Sequence, residues 1–169
     1  MARRPVPSQT VIGVLTEAGY RCAVPTCRTI LAIDIHHIVE VAGGGGNDRG
    51  NLLPLCPTCH ALFHRGEISR DSIYAWKSML VSLSHAFDHQ TIDDLLFLAT
   101  PQAVSLGVSG DGVLKFSRLV GAGLADFELL MQNGPLCLYR VGLTQKGAQL
   151  VSVWRSGNRE QVRELLGEP

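Results

Sequence analysis

The chain has 169 residues, 46% of them hydrophobic and 18% charged, and its mean hydropathy of +0.15 excludes an intrinsically disordered protein. Fifteen basic and fifteen acidic residues give a formal net charge of zero, which argues against a protein that coats nucleic acid non-specifically. The apolar stretches are too short to cross a bilayer, and the N-terminal "MARRPVPSQT" lacks the apolar run of a signal peptide. We therefore expect a cytoplasmic protein without a membrane partner.

Four of the five cysteines form two short-spaced pairs. Four residues separate Cys22 from Cys27, and two separate Cys56 from Cys59. Two such pairs joined by a loop indicate a tetrahedral zinc site, whose closed shell of thiolates makes the ion structural rather than catalytic. The alternative is four unrelated thiols or one reactive CxxC pair. Cys137 stands alone among apolar residues, and we expect it to be a small buried hydrophobic group.

Between and after the cysteine pairs, the sequence predicts two strands and a helix. The β-branched run "AIDIHHIV" indicates a strand over about residues 33–41. The loop "VAGGGGNDRG" follows, with four consecutive glycines. A short strand over 51–55 and a helix over about 58–65 complete the unit.

Four of the six histidines lie on these elements. His36 and His37 are adjacent on the first strand, where side-by-side imidazoles are unusual. His60 and His64 are four residues apart on the predicted helix, so they share one face and can bind one metal ion. Asn51 opens the second strand.

The composite "HHI…GGGGND…NLLPLCPTCHALFH" resembles the HNH nucleases, whose ββα-metal unit is often braced by a four-cysteine zinc site. The resemblance covers roughly residues 20–66. It implies hydrolysis of phosphodiester bonds in DNA, assisted by one divalent cation, with 5′-phosphate and 3′-hydroxyl ends as the products.

The resemblance also implies a role for each residue that matches the family pattern. His37 corresponds to the general base, which takes a proton from the attacking water, and Asn51 to the residue that fixes the loop behind that base. His36, His60 and His64 correspond to the ligands of the catalytic ion, which is Mg²⁺, Mn²⁺, Ni²⁺ or Zn²⁺. Because many members carry Asp where this chain has His36, we expect a preference for the softer ions.

Two adjacent residues of a regular strand point to opposite faces of the sheet. For His36 and His37 to serve one site, we therefore expect the strand to bend there or the water to lie to one side. Asp34 shares a face with His36. Its carboxylate either accepts a hydrogen bond from the His36 ring and so orients that ligand, or forms an ordinary salt bridge.

The region after the cysteines predicts an amphipathic helix that begins after Ser69. Its apolar stripe is made of Ile73, Trp76, Leu80, Leu83 and Phe87. The net charge is +2 over residues 1–70, −4 over 71–113 and +2 over 114–169, which fits two modules and an acidic connector.

The acidic connector contains His85 and His89, which we expect to form a polar helix face; the alternative is a fortuitous metal-binding pair. A short helix follows and is stopped by Pro101. Further on, a helix ending in "AGL", a hairpin and "YRVGLTQKG", with Thr144 as a helix N-cap, are similar to winged-helix domains.

Together these features predict an α+β protein, in which a small zinc-braced ββα-metal nuclease domain (residues 1–87) precedes a mainly helical, winged-helix-like domain (residues 88–169). The second domain would bind DNA or a partner, and a homodimer through this C-terminal part stays open. The predicted function is that of an HNH endonuclease acting on DNA. The rival is a non-catalytic zinc-containing DNA-binding regulator.

Overall fold

The computed structural model describes residues 5–166 and confirms a mixed α+β fold. Its backbone contacts divide the chain into two units. The first combines the described residues up to His85 with those from Trp154 onward, and the second runs from Ala86 to Val153. The residues from Trp154 onward thus pack with the N-terminal unit, whereas the sequence grouped them with residues 88–153. The roles of the two predicted domains stay predictions.

The predicted ββα unit forms the centre of the first unit. Strands β1 (Asp34–His37) and β2 (Leu52–Leu55) pair in antiparallel register, and helix α2 (Pro57–His64) follows directly. Strand β1 is shorter than predicted because the chain turns into a 3-10 helix soon after it. Proline at the first position of α2 suits a helix start, and the Sγ of Cys56 caps it by accepting the Cys59 N–H at 3.4 Å.

Three further helices belong to this unit: α1 (Ser8–Glu17), α3 (Arg70–Ala86) and α8 (Arg159–Leu166). The predicted stripe of α3 is confirmed in four of its five members, which are buried: Ile73, Trp76, Leu80 and Leu83. Phe87, the fifth, lies beyond the end of α3 and is half-buried.

The second unit contains a three-stranded antiparallel sheet in the order β3-β5-β4. Its strands and helices are α4 (His89–Leu98), β3 (Gly107–Ser109), α5 (Gly110–Val113), α6 (Ser117–Gly121), β4 (Ala125–Asn133), β5 (Leu136–Leu143) and α7 (Gln145–Ser156), whose end lies in the first unit. The predicted cap of α7 is confirmed, because the Thr144 Oγ1 accepts the Gly147 N–H at 3.1 Å. The winged-helix assignment stays a prediction.

His85 and His89 do not share a helix, contrary to the sequence-based expectation. Helix α3 ends at Ala86, and Asp88 caps the start of α4 by accepting the Thr91 N–H at 2.8 Å. The capping carboxylate therefore begins a new helix at the point where the periodicity of the sequence suggested continuation. Within residues 5–166, no helix is both long and apolar enough to span a membrane.

Candidate metal centres

The four paired cysteines converge on one point. Their sulfur atoms all lie within 4.8 Å of one another, and the Sγ atoms of Cys27 and Cys56 are 3.8 Å apart. Tetrahedral zinc binds thiolates at about 2.3 Å, which places neighbouring sulfurs about 3.8 Å apart. The cluster therefore fits the metal that the spacing predicted.

Main-chain hydrogen bonds hold the first cysteine pair against β2. The Ala23 N–H donates to the Pro54 carbonyl at 2.8 Å, and the Cys22 N–H donates to the Thr29 carbonyl at 2.8 Å. Arg28 adopts a positive φ of 52°, which turns the chain sharply after the second cysteine. Cys137 is no part of this cluster, and it is half-buried on β5 rather than buried as predicted.

Burial opposes ionisation of two of the four thiols, those of Cys22 and Cys59. Burial raises the pKa of Cys22 to about 11, against the opposing effect of main-chain hydrogen bonds from Cys56 and Val24. Burial also raises the pKa of Cys59 above its ordinary value. Burial works in the same direction at Cys56, but hydrogen bonds from the Cys59 N–H and the nearby thiols lower its pKa overall. Because thiolates are the ligands of zinc, a bound cation would favour the ionised thiols and offset the effect of burial.

Three histidines form a second cluster. One ring nitrogen from each of His36, His60 and His64 lies within 4.8 Å of the others, and the Nδ1 of His36 is 3.3 Å from the Nε2 of His60. Ring nitrogens bound to one tetrahedral ion at about 2.1 Å would be about 3.4 Å apart. His36 is buried, His60 is half-buried and His64 is exposed, so solvent reaches the cluster from the His64 side.

The buried member of this cluster is held in its neutral form. Burial, with smaller contributions from the nearby rings of His60 and His64, lowers the pKa of His36 to about 4. A neutral imidazole is the form that binds a metal ion, so His36 has its lone pair available at pH 7.

Asp34 contacts His60 rather than His36. The Nδ1 of His60 lies 3.2 Å from the Oδ2 of Asp34. Because a carboxylate only accepts hydrogen bonds, the ring proton must be on Nδ1, and the lone pair is then on Nε2, which faces His36. The expected contact with His36 is replaced by one with His60, because α2 packs against β1 and places His60 within reach of the carboxylate.

His37 lies beside the cluster and has a different partner. It is buried, and its Nε2 is 2.9 Å from the Oδ1 of Asn47 in the glycine loop. His36 and His37 both keep their pairing with β2, so the paired strand does not bend between them. The strand ends at His37, and one cavity of about 320 Å³ is lined by both histidines together with His60 and His64.

Asn51 ties the glycine loop to the end of β1. Its Oδ1 accepts the Val39 N–H at 2.7 Å, and its Nδ2 donates to the carbonyls of Val39 at 3.0 Å and Gly46 at 2.9 Å. Gly45 passes so close that an added Cβ would overlap the Val39 carbonyl oxygen. The loop therefore requires glycine at this position. Asn51 fastens the loop to Val39, which lies two residues beyond His37.

A larger cavity, of about 880 Å³, lies at the starts of α3 and α8. Its lining mixes Asp and Glu with Arg side chains, and it contains none of the residues predicted to carry chemistry. The smaller cavity is the candidate site, because the two sets of predicted histidines meet there.

Comparison with known proteins agrees with this geometry. Anaredoxin from Nostoc sp. (strain PCC 7120 / SAG 25.82 / UTEX 2576) is 42% identical over 36 residues, which are 21% of this chain and 47% of that protein. The chain thus spans about half the length of this relative. No solved structure matches the chain. The HNH endonuclease family model matches residues 21–66, the segment that contains both clusters. Residues 21–66 of this chain therefore form an HNH endonuclease domain.

Proposed function

We propose that this chain is a metal-dependent endonuclease that hydrolyses phosphodiester bonds in DNA. The observation that carries the proposal is the convergence of one ring nitrogen each from His36, His60 and His64 within 4.8 Å, with His37 lining the same cavity. Three imidazole ligands leave open positions on a cation, as in catalytic sites. The match of residues 21–66 to HNH endonucleases supports the same activity.

The roles follow from the chemistry of phosphodiesters. A divalent cation, when bound by the three histidines, supplies positive charge for the charge that develops on the phosphate. His37 is the general base and takes the proton from the attacking water, which an imidazole outside the metal shell can do at neutral pH. Asn51 fixes the loop beyond the base. Mg²⁺, Mn²⁺, Ni²⁺ and Zn²⁺ are the candidate ions, and an all-imidazole set favours the last three.

The four-cysteine cluster serves the fold in this proposal. Zinc held by Cys22, Cys27, Cys56 and Cys59 closes a complete shell of protein ligands, which leaves no position for substrate. Its contribution is to hold the first cysteine pair against the start of α2.

The C-terminal part is proposed to place the nuclease domain on DNA or on a partner, as a winged-helix-like module, and to support a homodimer. Arg118 forms an ion pair with Asp88 at 2.8 Å, and Arg140 lies 3.8 Å from Glu128. These two arginines are therefore partly neutralised, so we expect weak electrostatic attraction of DNA by this part. A cytoplasmic location stays a prediction from the composition.

A plasmid assay tests the proposal. The zinc-loaded protein should nick or cut supercoiled plasmid when Mg²⁺, Mn²⁺ or Ni²⁺ is added, and excess EDTA should stop the reaction. His37→Ala should abolish cleavage while zinc content and circular dichroism stay unchanged. His85→Ala, at an exposed histidine outside the site, is the matched control and should cleave normally.

Two further variants test the metal ligands. His60→Ala and His64→Ala should weaken the binding of added Ni²⁺ in calorimetric titration, because each removes one of three ligands. Cleavage retained by His37→Ala would refute the assigned base. A wild-type protein that binds plasmid but never cleaves it, whichever metal is added, would favour the regulator instead.

A further inference from the structure

Asn47 in the glycine loop contacts two groups that lie far from it in the sequence. Its Oδ1 is 2.9 Å from the Nε2 of His37, and its Nδ2 donates to the main-chain carbonyl of Pro5 at 3.3 Å. The amide therefore lies between the N-terminal segment and the ring assigned as the general base. Nothing in the spacing of the sequence motif assigns a role to this side chain.

The Pro5 carbonyl determines which way the amide of Asn47 faces. A carbonyl oxygen only accepts hydrogen bonds, so the NH₂ group must point toward Pro5 and the Oδ1 toward His37. The Oδ1 in turn only accepts, so His37 must carry its proton on Nε2. The lone pair of the neutral ring is then on Nδ1, which is the nitrogen able to take a proton.

We infer that Asn47 is a positioning residue for the general base: its amide holds the ring of His37 in place and fixes the tautomer with the proton on Nε2. This inference rests on the proposed nuclease function. The role differs from that of Asn51, whose side chain hydrogen-bonds to main-chain groups of Val39 and Gly46. Asn51 thus holds the backbone, whereas Asn47 holds the reacting ring.

Three variants separate positioning from a general effect on the loop. Asn47→Leu keeps the side-chain size but removes the acceptor, and it should lower the kcat for plasmid cleavage by on the order of 10–100-fold, as is typical when a group that orients a site residue is removed. KM and the affinity for added Ni²⁺ should stay within about twofold, because none of the three metal ligands changes. Asn47→Asp keeps an acceptor oxygen facing His37 and should recover most of the lost kcat. Asp48→Leu, at the exposed next residue of the loop, is the matched control and should behave as wild type.

A second readout does not depend on activity. Nitrogen-15 NMR of the zinc-loaded protein distinguishes the two tautomers of a histidine ring, and wild-type His37 should carry its proton on Nε2. Asn47→Leu should give a mixture of tautomers, whereas Asn47→Asp should restore the wild-type signal.

Wild-type kcat in Asn47→Leu, or a proton on Nδ1 of His37 in the wild type, would overturn the inference. Loss of zinc or of the folded state in Asn47→Leu but not in Asp48→Leu would likewise overturn it, since Asn47 would then be a structural residue. If the wild type shows no cleavage, the proposed function fails. The tautomer of His37 in Asn47→Leu then still decides whether Asn47 controls the ring.

Discussion

Replacing Asn51 tests how the loop beyond His37, the proposed general base, is held. The side chain makes three hydrogen bonds to main-chain groups, at 2.7, 3.0 and 2.9 Å. At about 1 kcal/mol for each bond, Asn51→Ala should lower the free energy of unfolding of the first unit by about 3 kcal/mol. A loss of that size is a large fraction of the stability of a small domain.

Asn51→Asp makes the test more specific. The aspartate has nearly the same shape and keeps an acceptor for the Val39 N–H, but it loses both donated bonds, which removes about 2 kcal/mol. It also directs a charged oxygen at the carbonyls of Val39 and Gly46, at the positions where Nδ2 now donates. We therefore expect Asn51→Asp to be at least as unstable as Asn51→Ala.

Urea unfolding followed by tryptophan fluorescence measures both effects. Trp76 and Trp154, the two tryptophans of the chain, are buried in the first unit, so the signal reports on that unit. Zinc must be kept at the same excess throughout, because ligand binding adds to apparent stability. Asn133→Ala, at an exposed position on β4, is the control and should change the stability by less than about 0.5 kcal/mol. An Asn51→Asp variant closer to wild type than Asn51→Ala would show that the donated bonds do not hold the loop.

Three further changes have defined outcomes. Gly45→Ala should lower the free energy of unfolding by about 3 kcal/mol in the same assay, because the added Cβ overlaps a backbone atom that cannot move aside. Gly50→Ala has open space around it and should leave the free energy of unfolding almost unchanged. Equal losses in the two variants would contradict the close approach at Gly45. Removal of zinc by a strong chelator should unfold the first unit, and less than half an equivalent of zinc in a folded protein would refute the cluster as a structural site. Asp34→Asn should weaken the binding of added Ni²⁺ about 10-fold, by loosening the orientation of His60, and unchanged affinity would exclude that role.

The sequence predicted the metal-binding sets because metal ligands impose short and regular spacings. Cys56 and Cys59 lie at the N-cap and in the first turn of one helix, and His60 and His64 lie on one helix face, so local geometry alone brings each pair together. The spacing also predicted that the two cysteine pairs share one ion, whereas the grouping of His36 with His60 and His64 came from the family resemblance.

Contacts that depend on tertiary packing were not predictable in the same way. Helix α1 has only two buried residues and begins after a proline without a side-chain cap, so its sequence gives little signal. The bond from Asn47 to His37 joins a loop to a strand, and no periodicity relates the two. Asp34 was placed on the correct face of β1, but its partner depended on where α2 lies across the strand.

The two clusters share one short helix, so the geometry of the histidine cluster depends on how the cysteine cluster holds that helix. Helix α2 has eight residues, and an isolated helix of that length is not stable in water. Its N-cap is Cys56 and it contains Cys59, so a zinc ion there would hold the start of the helix to the first cysteine pair. His60 and His64 lie on the rest of the same helix and face His36 on β1. The histidine cluster therefore keeps its geometry only while α2 is fixed, so we predict that loss of metal from the four cysteines separates the three histidines without a change to any of them.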